Sequence, residues 1–265
     1  MKRNIKITVW VIAAIVLLPV CIIGGSLLRD YLYEKLNPMF ETTMIFPDDS
    51  RHHLADTTFI VNGIEMKMIG VKGGKIDCKG LRKTVELKDF YIGETEVTQE
   101  LWASVMGYNP SCHKDSTLCP VENIDLKECL AFVHKLDSIS GVNFCVPSHP
   151  QWLYAALLDR RGAKNAYCDI DSTTLDRVGW LKDNSCNTPH LVKQKMPNAL
   201  GVYDMIGNVS EWTISGSDPL FFVVGGSYET ENKCCDIEEY DINHANIKDG
   251  SIGLRLVYCP KTPRK

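Results

Sequence analysis

From Gly162 to Pro260 the sequence carries no long helical period. Gly, Pro, Asn and aromatic residues alternate with short apolar runs there. Such a stretch reads as loops and brief strands packed by Trp180, Tyr203, Trp212, Phe221, Phe222 and Tyr228. Val223-Val224 and the Leu254, Leu256, Tyr258 alternation are its expected closing strands. The loops call for cross-braces, which cysteines or bound cations would supply.

The first half is more regular. Phe59-Ile60-Val61 and the Ile64, Met66, Met68 alternation flank Asn62-Gly63, the signature of a hairpin with a type I′ turn. Gly73-Gly74 marks a bend, Val85 and Leu87 alternate with charge, and Phe90-Tyr91-Ile92 reads as a buried strand. Three short helices are expected. One runs from Gln99 to Met106 and stops at Gly107. A second starts at Asp125, three residues before Glu128, and ends at Gly141. A third begins after Ser148, with Gln151 three residues on, and ends by Gly162. One irregular α+β domain over residues 57–260 accounts for these signals, with residues 261–265 as a tail.

Residues 1–29 are different. Lys2, Arg3 and Lys6 precede a run without charge from Ile7 to Leu28. At 1.5 Å per residue the run spans roughly 33 Å, enough for a bilayer core of about 30 Å. An uncleaved anchor with a cytoplasmic N-terminus is the leading reading. A cleaved signal peptide competes, and lipidation at Cys21 is disfavoured by Val20. All three export the rest of the chain, so the domain is expected on the extracytoplasmic side, behind a polar spacer at 30–56. The net charge of −4 argues against a nucleic-acid partner. Cys21 falls in the apolar run, and the other ten of the 11 cysteines lie in the exported part, where disulfides are expected. Cys112 and Cys119 bracket a short polar loop that a disulfide would close.

Several phrases recur in a familiar order. They include Phe90-Tyr91-Ile92-Gly93-Glu94-Thr95-Glu96-Val97-Thr98-Gln99, Met106-Gly107-Tyr108-Asn109-Pro110-Ser111 and Pro120-Val121-Glu122. Val146-Pro147-Ser148, Trp152 and Tyr154-Ala155-Ala156 come next, then the run Gly201-Val202-Tyr203-Asp204-Met205-Ile206-Gly207-Asn208-Val209-Ser210-Glu211-Trp212. Gly225-Gly226-Ser227-Tyr228 and Gly253-Leu254-Arg255-Leu256 close the series. Together they resemble the sulfatase-modifying-factor family, which contains the formylglycine-generating enzymes. The resemblance implies a loop-rich variant of the C-type-lectin fold. Its enzymes oxidise a sulfatase cysteine with O₂ and copper.

That chemistry needs two thiolates for Cu(I). The resemblance places them at Thr230 and Cys235, so one ligand is kept and the other is a hard hydroxyl. Glu229, Glu231, Asp236, Glu238, Glu239 and Asp241 make the surrounding loop acidic. Copper is therefore not expected. The seven histidines are scattered, which disfavours an iron oxygenase. Cys235 and Ser227 are the catalytic candidates of the enzyme alternative, a divergent oxidase or metal-dependent oxygenase. Structural Ca²⁺ is the favoured cofactor, with Asn208 and Glu211 as ligands by analogy with the family. The expected role is a non-catalytic surface module that binds a protein or glycan, or serves as a subunit of an envelope complex.

Overall fold

In the computed structural model the described residues are 44–45, 53–78, 83–157, 172–198, 200–214, 221–232, 237–238 and 240–260. All of them belong to the unit Thr43–Lys265. The expected anchor at 7–28 lies outside the described residues, and no described helix is long and apolar enough to cross a membrane.

Strands β2 (His53–Val61) and β3 (Ile64–Val71) form the expected hairpin. Asn62 and Gly63 both take positive φ, 52° and 85°, as a type I′ turn requires. β3 pairs with β6 (Phe90–Gly93), β6 with β12 (Val257–Tyr258), and β12 with β7 (Phe144–Cys145), all antiparallel. The last described strand thus sits inside this sheet, between β6 and β7. β1 (Met44–Ile45), β4 (Lys75–Cys78) and β5 (Lys83–Glu86) make a second sheet. β1 lies within the stretch expected to be a spacer, and β2 starts four residues before the expected domain boundary. β8 (Ser210–Ile214), β9 (Phe221–Val224), β10 (Tyr240–Asn243) and β11 (Ile252–Gly253) make a third, with β11 parallel to β8.

The helices obey their caps. Thr98 Oγ1 accepts from Leu101 N at 3.2 Å at the start of α1 (Gln99–Met106), and Gly107 ends it with φ 86°. Asp125 and Glu128 form a reciprocal capping box on α2 (Leu126–Ser140), with bonds of 2.9 and 3.0 Å. Ser148 and Gln151 do the same for α3 (His149–Leu157), whose other residues are all buried. A helix apolar on every side belongs between layers. A short α4 (Ser172–Val178) is an addition to the three expected helices, because seven residues are too few to set a helical period. Trp102 of α1 and Phe132 of α2 stack at 4.7 Å in one core cluster, while α3 anchors the other.

The expected closure between Cys112 and Cys119 is a correction. Cys112, Cys119, Cys129, Cys145, Cys186 and Cys259 are free thiols, so Cys112 and Cys119 do not close their loop. Hydrogen bonds from Gln99 hold it instead. Gln99 Nε2 donates to His113 O and Pro120 O, at 2.7 and 3.2 Å, and its Oε1 accepts from Asn109 Nδ2 at 2.7 Å. Cys168, Cys234 and Cys235 lie outside the described residues.

His149 carries a pH prediction. It is buried against Phe222 and Tyr240, and its Nδ1 has no hydrogen-bond partner. Burial pushes its pKa down to about 4, so the folded protein holds it neutral. The unfolded chain takes up the proton near pH 6.5. This stabilisation is complete above that value and is lost as pH falls toward 4. Between pH 7.5 and 4 the protein should lose on the order of 3 kcal/mol from this group. Urea unfolding at both pH values, with His149→Gln as control, should show a flatter pH profile in the variant.

Candidate functional site

The described residues enclose a buried charge lock. Arg255 is fully buried (0% exposed) and Glu211 nearly so (1%). Arg255 Nε lies 2.9 and 3.0 Å from the two Glu211 oxygens, and Nη2 donates to Oε1 at 2.7 Å. Its remaining donors go to the carbonyls of Gly93, Tyr203 and Asp204, at 3.0, 2.9 and 3.3 Å. Trp152 Nε1 of α3 donates to Glu211 Oε2 at 2.6 Å. One carboxylate therefore joins α3, β8 and the segment leading into β12.

Two further carboxyls lie beside this lock. Glu96 is 1% exposed and Asp204 2%. Neither oxygen of Glu96, nor Asp204 Oδ1, has a conventional hydrogen-bond partner, while Asp204 Oδ2 accepts from Lys193 N at 2.7 Å. Burial, and then the Asp204 charge, pushes the Glu96 pKa well above the usual carboxylate range. Burial also raises Asp204, against the pull of the Lys193 amide and Arg255. Arg255 is already engaged by Glu211, so burial and the repulsion between Glu96 and Asp204 favour a proton shared by the pair. A raised folded pKa gives stability that is full below the unfolded value and lost as pH rises through the folded one. Glu96→Gln should therefore stabilise the protein at pH 8 and flatten the alkaline limb of its stability profile. Thermal melting across pH 5–9 checks this; an unchanged limb would remove the shared proton.

The turn expected to hold the catalytic candidates begins with two left-handed glycines. Gly225 and Gly226 take φ of 88° and 69°. Ser227 N donates to Thr230 Oγ1 at 2.9 Å, Thr230 N donates to Ser227 O at 2.9 Å, and Glu229 N donates to Ser227 Oγ at 3.2 Å. Both hydroxyls are thus turn-forming acceptors. Cys235 lies outside the described residues.

Asn208 and Glu211, the expected calcium ligands, are each engaged by protein groups in this structure. Glu211 is engaged by Arg255 and Trp152, and a guanidinium already fills its cation position. Asn208, at φ 58°, accepts from His190 N at 2.9 Å and donates to His190 O at 3.3 Å. Among the described residues no three His, Cys, Asp or Glu side chains gather where they could hold a metal ion.

Residues 51–259 match the sulfatase-modifying factor enzyme 1-like domain. The chain belongs to that family. Chaperone protein LppX of Paenibacillus barcinonensis is 30% identical across a 180-residue alignment covering 49% of this chain and 63% of that protein. The chain thus spans less than two thirds of that relative. Among solved structures, Treponema denticola variable protein 1 superposes with a TM-score of 0.70 at 25% identity, covering 78% of this chain and all (100%) of that one. PvdO from Pseudomonas aeruginosa gives 0.63 at 18% identity, with 76% and 97% covered, and shares the fold.

This member of the sulfatase-modifying factor family places two further groups that sequence reading does not single out. One is a cavity of about 530 Å³ between β3, the segment 93–101 and residues 192–193. On its wall Glu94 bridges Lys67 and Lys193, at 3.0 and 2.7 Å. The other surrounds Glu122, which accepts from His113 N at 2.7 Å. The Pro120-Val121-Glu122 phrase is the signal for the second. The bridge at Glu94 joins positions far apart in the chain, and no local pattern marks it.

Proposed function

We propose that this chain is an exported, non-catalytic member of its family, held at the membrane by residues 7–28 and presenting a binding surface to a protein or glycan. The observation that carries the reading is Thr230. It stands where the resemblance requires a thiolate, and its hydroxyl accepts the Ser227 amide at 2.9 Å inside the turn. A threonine hydroxyl is a poor Cu(I) ligand, because Cu(I) selects soft donors. The Arg255–Glu211 lock joins α3, β8 and the segment leading into β12 without that chemistry. A relative named as a chaperone fits a protein partner.

The test uses the full purified chain. Competition against a chromogenic Cu(I) chelator should detect no stoichiometric two-thiolate site. A sulfatase-derived peptide should keep its cysteine under air with copper and reductant. Conversion of that cysteine to formylglycine would overturn the reading in favour of the oxidase alternative. Affinity isolation from native membranes addresses an envelope complex, which predicts recovery of a fixed partner.

A further inference from the structure

β3 has one edge that β6 leaves bare. β6 runs beside β3 only as far as the Met68–Gly93 pair and the bond from Glu94 N to Lys67 O, at 3.0 Å. Backbone groups of successive strand residues point to opposite sides, so Lys67 O marks the β6 side. The amide and carbonyl of Glu65 point the same way, while Ile64 and Met66 turn theirs to β2. The chain beyond Gly93 would have met Glu65, but it spends its backbone groups elsewhere. Glu94 O accepts from Tyr203 N at 2.9 Å, Val97 N donates to Leu254 O at 2.7 Å, and Val97 O accepts from Val121 N at 2.8 Å. Among the described residues none bonds the Glu65 amide or carbonyl on that side.

The space left by that divergence is the cavity of about 530 Å³, with residues 63–68 on one wall and 93–98 on the other. Its size is that of a ligand site. It opens to solvent, since Glu65, Lys67, Glu100 and Leu118 are exposed on its rim. A strand laid there in the direction of β6 would continue the β6 line. Its residue opposite Glu65 would share the outward face of Glu65, and the residues on either side would point inward. The inner lining is apolar, with Met66, Val97, Leu101 and Leu256. The outward face is charged. Lys67 is already held there by Glu94 and Asp56, at 3.0 and 3.5 Å. No described cation pairs with Glu65, and Glu100 adds a second exposed carboxylate to the rim.

From the bare edge at Glu65 and the cavity beside it, we propose that this gap binds an extended segment of a partner protein as an added strand, with a basic residue opposite Glu65 between two apolar ones. The amide of that basic residue donates to Glu65 O, and its carbonyl accepts from Glu65 N, which completes the pair that β6 does not make. An acidic residue there would face Glu65 directly, at a cost. Glycan hydroxyls would meet apolar inner walls. The proposal rests on the binding role above, takes the protein partner over the glycan, and states the chemistry of its docking segment.

The experiment is an NMR titration of the full chain in detergent with the peptide acetyl-Thr-Val-Lys-Val-Thr-amide. Before any peptide is added, the Glu65 amide should exchange with solvent much faster than the Met66 amide, which faces β2. With peptide, the Glu65 amide should move downfield and gain protection, with a millimolar Kd. Methylating the backbone nitrogen of the peptide lysine removes the donor to Glu65 O and should weaken binding about tenfold. Replacing that lysine by glutamate should weaken it about threefold, and Glu65→Lys should reverse the order of the two peptides. Glu65 is exposed, so this variant keeps the backbone edge and the fold. A slowly exchanging Glu65 amide in the free protein, equal binding of the methylated peptide, an unreversed order in Glu65→Lys, or no shift at Glu65 would each overturn the proposal. So would a shift at Glu65 with maltotriose and none with the peptide. Failure here leaves the copper and sulfatase-peptide assays untouched, and formylglycine formation would sink the non-catalytic reading without moving these shifts.

Discussion

Arg255→Met should cost about 3–5 kcal/mol, enough to unfold much of the population at 37 °C. The guanidinium is the cation that Glu211 pairs with, and Glu96 and Asp204 lie in the same buried region. Methionine keeps much of the volume and removes the charge. It also orphans the carbonyls of Gly93, Tyr203 and Asp204 that the guanidinium satisfied. Urea unfolding at pH 7 measures the loss. A double-mutant cycle with Glu211→Gln should show strong coupling, because removing the carboxylate charge eases the burden left by the missing arginine. A loss under about 1 kcal/mol in the single variant would mean that the lock contributes little to stability.

Gly207→Ala should be nearly as damaging, at about 3 kcal/mol or more, since two penalties combine. The residue sits at φ 73°, and its new Cβ would fall 2.0 Å from Trp180 O and 2.7 Å from Trp180 C. Backbone would have to move, breaking the Asn208 N to Trp180 O bond of 2.8 Å and the approach of Gly207 N to Gly225 O. Gly201→Ala is the control. Its φ of 88° is equally left-handed, but nothing lies within 4 Å of the added methyl. It should cost only about 1 kcal/mol. Thermal melts of the two variants side by side separate conformational strain from collision. Equal shifts would deny the close approach at Trp180.

The contrast between those glycines shows what local sequence conveys. Asn62-Gly63, Gly107, and Asp125 with Glu128 and Gly141 each act on backbone within a few residues, and each forms the turn or cap its pattern predicts. The ordered phrases locate the family, and Glu96, Asp204, Glu211 and Arg255 all lie within them. Their roles are another matter. Three-residue spacing allows Asn208 and Glu211 to share a calcium ion. What claims Glu211 is Trp152, 59 residues earlier, and Arg255, 44 residues later. The cysteine count argues for disulfides. Yet Cys119 and Cys129 are buried as small apolar side chains, and Gln99 closes the loop that Cys112 and Cys119 bracket.

By itself, then, the sequence determined the local elements with strong caps, the loop-rich α+β architecture and the family. These depend on neighbours in the chain or on residue identity at a matched position. Only the tertiary structure decided that β12 lies between β6 and β7, that Arg255 and Glu211 neutralise each other in the core, and that Glu122 is buried against His113. The reason is physical. A carboxylate's role is set by what desolvates it and which donor reaches it, and both come from segments that meet only when the chain has folded.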